Sequence, residues 1–167
     1  VYAHRGARIR GFDVTRRLSV EDMEALALGA WILGTGGGGD PYHKFLNVRE
    51  LYREGREVEL IDPDELADDA WIAVLSTMGA PLVGQERLVD ARVALKPVRM
   101  LEAHLGRPFD AVMSVEIGGG NGMQPMMVGA LSGLPVVDAD AMGRAYPEAQ
   151  MTSFAVADLS PFPLALA

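Results

Sequence analysis

Two glycine runs, each beside short polar side chains, are the parts of the sequence best suited to chemistry. Asp40 directly follows the first run, whereas Glu116 precedes the second run and Asn121 follows it. Glycine loses more backbone entropy on folding than any other residue, so such runs indicate that something approaches the backbone closely. Their N–H groups can bind an anion or a carbonyl oxygen, which predicts that both runs line one ligand pocket. The glycines are Gly36, Gly37, Gly38, Gly39, Gly118, Gly119 and Gly120.

The acids that could supply acid–base chemistry in this pocket are Asp40, Glu116, Asp138 and Asp140. Asp138 and Asp140 lie two residues apart at the end of an apolar stretch. On a strand their side chains would point to one face, as metal ligation or a shared proton requires. Each acid also has a structural alternative, because Asp40 can cap a helix, Glu116 can be a hydrogen-bonded buried acid, and the pair can cap a turn. Arg144 can bind a substrate carboxylate or remain an exposed surface arginine.

The composition restricts the classes of function that the 167-residue chain can have. It has no cysteine, which excludes disulfides, thiolate catalysis and cysteine-ligated metal centres. The three histidines show no ligand spacing, so we predict no metal site, and the sequence identifies no cofactor. The net charge is -8 and no basic face is evident, which argues against a nucleic-acid partner. No apolar run is long enough for a bilayer and no signal sequence begins the chain, so we predict a cytoplasmic protein without a membrane partner.

Apolar stretches typical of buried strands alternate with stretches typical of helices. The predicted strands cover residues 57–61, 70–77, 109–117, 135–140 and 150–157. The predicted helices cover residues 19–33, 41–54, 97–105 and 123–133. This alternation predicts an α/β fold in which helices flank a mostly parallel sheet. The glycine-rich loops then lie at strand and helix ends, where open parallel sheets bind their ligands.

The distribution of charge divides the chain into two parts. Residues 1–17 are rich in arginine, and we predict that they form a disordered basic extension. Residues 18–167 hold the predicted elements and form one domain. The chain begins with valine and ends in the apolar sequence "PFPLALA". We therefore predict that a further domain follows it in the natural protein, and that this chain alone forms a homo-oligomer and shows no turnover.

Four motifs occur along the chain in the order "ALGAWILGTGGGGDPY", "STMGAP", "VEIGGGNGMQP" and "LPVVDADAMGRAYPEAQMTSF". Through these motifs residues 18–167 resemble the N-terminal domain of the S-methyl thiohydantoin desulfurase family. The resemblance implies an enzyme that acts on five-membered, imide-like rings, and the namesake activity converts an S-methylated thiohydantoin to the hydantoin. It also implies a C-terminal domain that is missing from this chain and a cytoplasmic location.

The resemblance suggests a hypothesis for the glycine runs and the acids. The glycine N–H groups would hold the oxyanion that forms when water adds to a ring substrate. Asp40, Glu116 or the pair of acids after the strand would activate water or protonate the leaving thiol. Asn121 would bind the edge of the ring. The alternative from another class is a non-catalytic module for small-molecule binding or assembly.

Overall fold

The computed structural model describes residues 16–79, 83, 86 and 90–167 of the chain. Its helices are α1 (Val20–Gly34), α2 (Pro41–Arg53), α3 (Lys96–Leu105), α4 (Gly120–Ser132) and α5 (Ser153–Val156). Its strands are β1 (Arg16–Arg17), β2 (Glu59–Ile61), β3 (Ile72–Leu75), β4 (Ala111–Ser114) and β5 (Val136–Val137). No helix within these described ranges is long and apolar enough to cross a membrane.

The strands form one sheet in the order β1-β2-β5-β4-β3. Strands β2, β5, β4 and β3 pair in parallel, whereas β1 is antiparallel to its neighbour β2. The prediction that residues 72–76, 111–115 and 135–138 lie as parallel neighbours is confirmed, as is the α/β fold with a mostly parallel sheet and flanking helices. The carboxyl ends of β3, β4 and β5 therefore meet at one edge of the sheet.

The caps of the first two helices follow the sequence pattern. The Ser19 hydroxyl accepts the N–H of Asp22 at 3.1 Å, and the Asp22 carboxylate accepts the N–H of Ser19 at 2.9 Å, so the pair forms a capping box for α1. The Asp40 carboxylate accepts the N–H of Tyr42 at 2.8 Å and caps α2. Pro41 occupies the first helical position, where its missing N–H costs nothing. The first glycine run is thus held between two well-defined helix ends.

Helix α4 forms the centre of the fold. Most of its residues are buried, as expected of a helix that is apolar on all sides. Helices α1 and α2 pack on it in a core that includes Met23, Val48 and Met127. Strand β4 is buried on both faces, since Val112 belongs to this core and Met113 to a smaller cluster on the opposite face. This packing fixes the ends of α1, α2, α4 and β4 relative to one another.

The prediction of a strand over residues 150–157 is wrong. Residues Ala149–Met151 form a 3₁₀ turn, and Ser153–Val156 form the short helix α5. The Thr152 hydroxyl accepts the N–H of Ala155 at 3.2 Å and so caps this helix. The cap offers the backbone a local alternative to strand pairing, and the alternation of residue types along the segment does not reveal it.

The amino-terminal boundary also differs from the prediction. The predicted extension covers residues 1–17, but Arg16 and Arg17 form β1 and pair with Leu60 and Glu59 of β2. Arg17 also lies 3.1 Å from the carboxylate of Glu57, so opposite charges support this pairing. These two arginines therefore belong to the domain, and the rest of the predicted extension, residues 1–15, lies outside the described residues.

Candidate functional site

The two glycine runs pack against each other, backbone to backbone. The N–H of Gly120 donates to the carbonyl oxygen of Gly39 at 2.9 Å. A Cβ atom on Gly119 would lie 2.4 Å from the carbonyl oxygen of Gly37, closer than any real Cβ contact. The two runs therefore approach each other as expected. Each run lies in close contact with the backbone of the other run. Side chains larger than hydrogen at Gly38 or Gly119 would prevent this contact.

This contact consumes N–H groups that the sequence suggested for ligand binding. The first N–H groups of α4, those of Gly120 and Asn121, donate to carbonyl oxygens of the first run, so they cannot also hold an oxyanion. The same bonds start α4 at Gly120, three residues earlier than predicted. In the part of the chain that the structure describes, the N–H groups of Gly38 and Gly39 have no acceptor, and they remain available to a ligand.

Glu116 is buried next to the glycine contact, with 5% of its surface exposed. Its Oε1 accepts a hydrogen bond from Asn121 Nδ2 at 2.6 Å, and its Oε2 accepts the backbone N–H of Tyr146 at 3.0 Å. A Cβ atom on Gly38 would lie 3.2 Å from Oε1, so the carboxylate also borders the first glycine run. A buried carboxylate needs donors of this kind, and here they fix its orientation.

Asn121 connects Glu116 to the end of β3. Its Nδ2 donates to Glu116, and its Oδ1 accepts the N–H of Thr77 at 2.8 Å. The two bonds determine which way the amide points. Because the side chain is only 4% exposed, it serves as a link within the protein. The role in binding a ring edge, which the sequence suggested, is not supported by this geometry.

Lys44 reaches the same place from α2. Its ammonium donates to the hydroxyl of Thr77 at 2.6 Å, and this hydroxyl lies 3.2 Å from Oε1 of Gln124. Burial lowers the pKa of Lys44 to about 8, while the negative charge of Glu116 acts in the opposite direction. A cation, a hydroxyl and an amide thus lie on the same hydrogen-bonded network as the buried carboxylate. We refer to Lys44, Thr77, Gln124, Asn121 and Glu116 as the glycine-contact site.

A buried serine lies next to the carbonyl oxygen that a proline in α4 leaves without its helical hydrogen bond. Pro125 has no N–H to donate to the carbonyl oxygen of Asn121, four residues before it. The Ser114 hydroxyl lies 3.0 Å from that oxygen and 2.5 Å from the carbonyl oxygen of Glu116, so its single proton is shared between the two acceptors. Since Ser114 ends β4, the start of α4 is bonded directly to the sheet.

Asp40 lies beside the glycine-contact site but acts as a helix cap. Its side chain is exposed, its carboxylate accepts the N–H of Tyr42, and Nδ1 of His43 lies 4.0 Å from it. Of the two interpretations that the sequence allowed for Asp40, the structure supports the cap.

Asp138 and Asp140 line a cavity of about 200 Å³ at the carboxyl ends of β4 and β5. The cavity has apolar walls that include Leu26, Leu60 and Met126. Both acids border the same space, as their spacing of two residues predicts. Their surroundings differ from those of Glu116, because Asp138 is exposed and Asp140 is only partly buried.

The two acids of the cavity have different roles. Asp140 accepts the N–H of Ile117 at 2.7 Å and the N–H of Gly143 at 2.8 Å, so it closes a turn. The Asp138 carboxylate has no partner within the described ranges. Glu116 does not line the cavity, and the structure therefore separates acids that the sequence placed in one pocket. Across the described residues, no group of three or more histidine, cysteine or acidic side chains is arranged to hold a metal ion.

Arg144 is exposed and stacks on a neighbouring aromatic ring. Its guanidinium carbon lies 4.0 Å from the centroid of the Tyr146 ring, and Nη1 donates to the carbonyl of Ala145 at 3.2 Å. The N–H of Tyr146 binds Glu116, so the stack lies next to the glycine-contact site. Arg144 keeps further N–H donors, and binding of a substrate carboxylate stays a prediction.

The comparisons with known proteins agree with the motifs of the sequence. The model of the S-Me-THD-like, N-terminal domain family matches residues 21–167. The chain belongs to this family. No curated protein matches it. An X-ray crystal structure of a protein from Chromobacterium violaceum, a structural-genomics target, is similar to it with 32% sequence identity and a TM-score of 0.66, over 86% of this chain and 40% of that chain.

In this S-Me-THD-like domain, Lys44, Thr77 and Gln124 belong to the glycine-contact site, and the sequence analysis did not select them. Thr77 belongs to the motif "STMGAP", Gln124 to "VEIGGGNGMQP", and Lys44 follows "GGGGDPY" by two residues. The available signal was that these three polar residues lie within or just after motifs that end neighbouring elements. Their meeting point depends on how α2 packs against α4, which residue types alone do not give.

Proposed function

We propose that this domain forms part of the active site of a hydrolase that acts on hydantoin-like or S-methyl thiohydantoin five-membered rings. The reaction is desulfurisation of the ring or hydrolysis of a ring C–N bond. Membership of the S-Me-THD-like family supports the substrate class. Because the domain spans 40% of the solved relative's chain, the proposal concerns the complete protein, with its C-terminal domain, as a cytoplasmic homo-oligomer.

One observation carries the proposal, namely a buried carboxylate beside a loop with free N–H groups. Glu116 borders the first glycine run, and the N–H groups of Gly38 and Gly39 in that run have no acceptor among the described residues. A positioned base next to donors for a developing negative charge is the arrangement that hydrolysis of an imide-like ring needs. The site also lies at the carboxyl ends of parallel strands, where open sheets bind ligands.

With an S-methylated ring, water adds to the ring carbon that carries the S-methyl group. Glu116 accepts the proton of the water, and the N–H groups of Gly38 and Gly39 stabilise the charge that develops on the ring. The C–S bond then breaks, and the products are the hydantoin and methanethiol. In ring C–N hydrolysis the same groups would act on a ring carbonyl.

The test is the substitution Glu116→Gln in the complete protein. Glutamine keeps the size of the side chain but cannot take up the proton of water. We expect turnover to fall about 100- to 10,000-fold while the circular-dichroism spectrum stays unchanged. Methanethiol release, followed with a thiol reagent, measures the desulfurisation, and chromatography of the opened ring measures C–N hydrolysis.

Glu102→Gln is the matched control. Glu102 also accepts a backbone N–H, that of Phe109 at 3.1 Å, and one further donor, Arg99 Nη1 at 2.6 Å, but it belongs to α3 and lies outside the glycine-contact site. We expect it to leave turnover unchanged. Full turnover in Glu116→Gln would remove Glu116 from the chemistry, and loss of turnover in Asp138→Asn instead would move the chemistry to the cavity.

A non-catalytic binding module is the second candidate, and the capping roles of Asp40 and Asp140 favour it. Acids that only cap helices and turns contribute no chemistry. Such a module would bind a hydantoin without converting it or its S-methylated thio analogue. Calorimetric binding by the complete protein, combined with no product release at any pH, would therefore select the module over the enzyme.

A further inference from the structure

Lys44 and Lys96 are the only lysines in the chain, and they lie in different surroundings. Lys96 opens α3 and is exposed. Lys44 is half-buried and extends from α2 to Thr77, just beyond the carboxyl end of β3, where its ammonium donates to the hydroxyl at 2.6 Å. A Cβ atom on Gly120 would lie 3.2 Å from Cε of Lys44, so the glycine at the start of α4 leaves space for the lysine stem.

The ammonium of Lys44 is not neutralised by a carboxylate in direct contact. Among the described residues it forms no ion pair, and the hydroxyl of Thr77 is its hydrogen-bond acceptor. Lysines usually keep the ammonium in water and bury only the stem. Here a half-buried ammonium with three donors has used one of them on a neutral group, which leaves donors for a ligand.

Few ionisable side chains surround Lys44 on the elements that pack against α2. Helix α4 contains none, and neither does the part of α1 that leads into the glycine run, residues 25–34. The charged or titratable side chains from the start of α2 and from the packed 3₁₀ turn at Ala91–Leu95 are Asp40, Tyr42, His43, Arg49 and Arg92. Glu116 is the group whose charge acts on Lys44, and it favours the protonated amine.

We propose that Lys44 is the acid of this site, the group that protonates the leaving methanethiolate or ring nitrogen; this rests on the proposed function. As the bond from water oxygen to the ring carbon forms, the C–S electron pair leaves on sulfur, and sulfur takes a proton from the Lys44 ammonium. Glu116 takes the proton of the water. The site then holds a neutral amine and a carboxylic acid, and exchange with solvent restores both ions before the next turnover.

The acidity of Lys44 suits this role. Burial lowers its pKa to about 8, so the amine is protonated at neutral pH and still releases its proton more readily than a surface lysine. Lys44 must carry a proton to act as the acid. Turnover should therefore decline as the pH rises through about 8.

The first test measures turnover of the complete protein with Lys44→Met and Lys44→Arg, and with Lys96→Met as the control. We expect Lys44→Met to lower kcat about 100-fold or more, with a smaller change in KM. Lys44→Arg should not restore it, because a guanidinium does not release its proton near neutral pH. Lys96→Met should behave like the wild type. An unchanged kcat in Lys44→Met, or an increase in KM alone, would overturn the proposal.

The second test needs no substrate. Lysine labelled with ¹³C and ¹⁵N is followed by NMR through a pH titration of the complete protein, and the signal absent from Lys44→Arg is that of Lys44. We expect its midpoint near pH 8, and a lower midpoint in Glu116→Gln, because that variant lacks the negative charge that holds the proton. A Lys44 midpoint that does not move in Glu116→Gln would contradict a shared site.

The two tests separate the inference from the proposed function. If the wild-type protein converts no ring substrate, the proposed function and the acid role that rests on it are both wrong, whatever the titration shows. If the wild type is active and Lys44→Met keeps its kcat, the proposed function stands and the inference about Lys44 is wrong.

Discussion

Glu116 and Asp138 follow neighbouring strands of the same sheet, yet the chain surrounds them in opposite ways. Glu116 is buried, both of its oxygens accept hydrogen bonds, and a hydrogen-bonded network connects it to Lys44. Asp138 is exposed at an apolar cavity and has no partner in the described part of the chain. Position at a strand end is therefore shared, while burial and partners distinguish the two acids.

The difference shows what the glycine runs contribute to the site. They bring α1, α2 and the start of α4 together, and this contact is what buries Glu116 and Lys44 together. Perturbed pKa values concentrate at functional sites, and burial lowers the pKa of Lys44. The cavity, in contrast, has space for a ligand and the carboxylate of Asp138, but no described side chain is hydrogen-bonded to that carboxylate. We therefore place the proposed chemistry at the glycine-contact site.

The largest effect is expected from a substitution that disrupts the contact between the two glycine runs. In Gly119→Ala the new Cβ would lie 2.4 Å from the Gly37 carbonyl oxygen, and Gly119 has φ of 66°. We expect a loss of more than about 4 kcal/mol in the free energy of unfolding, together with loss of turnover. Gly106→Ala is the control, since its φ is 72° and nothing lies within 4 Å of its Cβ position.

The control measures the cost of a left-handed conformation without a clash, which is about 1–2 kcal/mol for an alanine. Gly119, with φ of 66° and ψ of -154°, lies in a region that only glycine adopts readily, so Gly119→Ala carries a larger backbone cost together with the clash. Urea denaturation of the two variants measures the difference. Equal losses of stability would mean that the two runs are not in close contact and that the glycine-contact site is not built as described.

In contrast to Gly119→Ala, Lys44→Met should increase the free energy of unfolding, and by a smaller amount. The pKa of Lys44 in the folded protein is about 8, below its ordinary value of 10.5, so between these values the unfolded chain binds more protons. The folded protein therefore carries a penalty for the charged amine, which is complete below about pH 8 and disappears as the pH rises towards 10.5. We expect Lys44→Met to stabilise the protein by about 1–3 kcal/mol at pH 7.

Thermal and chemical denaturation at pH 7 and pH 10 check this expectation. The gain should shrink at the higher pH, and Lys96→Met should change stability by less than about 0.5 kcal/mol at both. A destabilised Lys44→Met at pH 7 would show that the ammonium is retained for packing or pairing. In that case the charge of Lys44 would not reduce stability, and it would no longer distinguish the glycine-contact site from the surroundings of Asp138.

The sequence was sufficient for the layers of the fold and for the starts of α1 and α2. Continuous apolar stretches identify β3, β4 and β5, and Ser19 and Asp40 are local caps that need no knowledge of the rest of the chain. The start of α4 was placed too late, because bonds from Gly120 and Asn121 to the first glycine run begin the helix. Contacts between distant segments decide such boundaries.

The site was predicted in part for the same reason. Glu116 and the glycine runs follow from residue type and order, and they do come together. The separation of Asp138 and Asp140 from Glu116 depends on how the helices pack at the strand ends, which the pattern does not contain. Lys44 became a candidate through its burial and its bond to Thr77, and both are properties of the packed structure.

The most direct test of the account is a crystal structure of the complete protein with a hydantoin bound as a ring analogue. We expect the ring at the glycine-contact site, within hydrogen-bonding distance of Lys44 Nζ and of the N–H groups of Gly38 or Gly39. A ring that instead fills the cavity between Leu26 and Met126, with Asp138 as its polar contact, would contradict the assignment of the chemistry to the glycine contact.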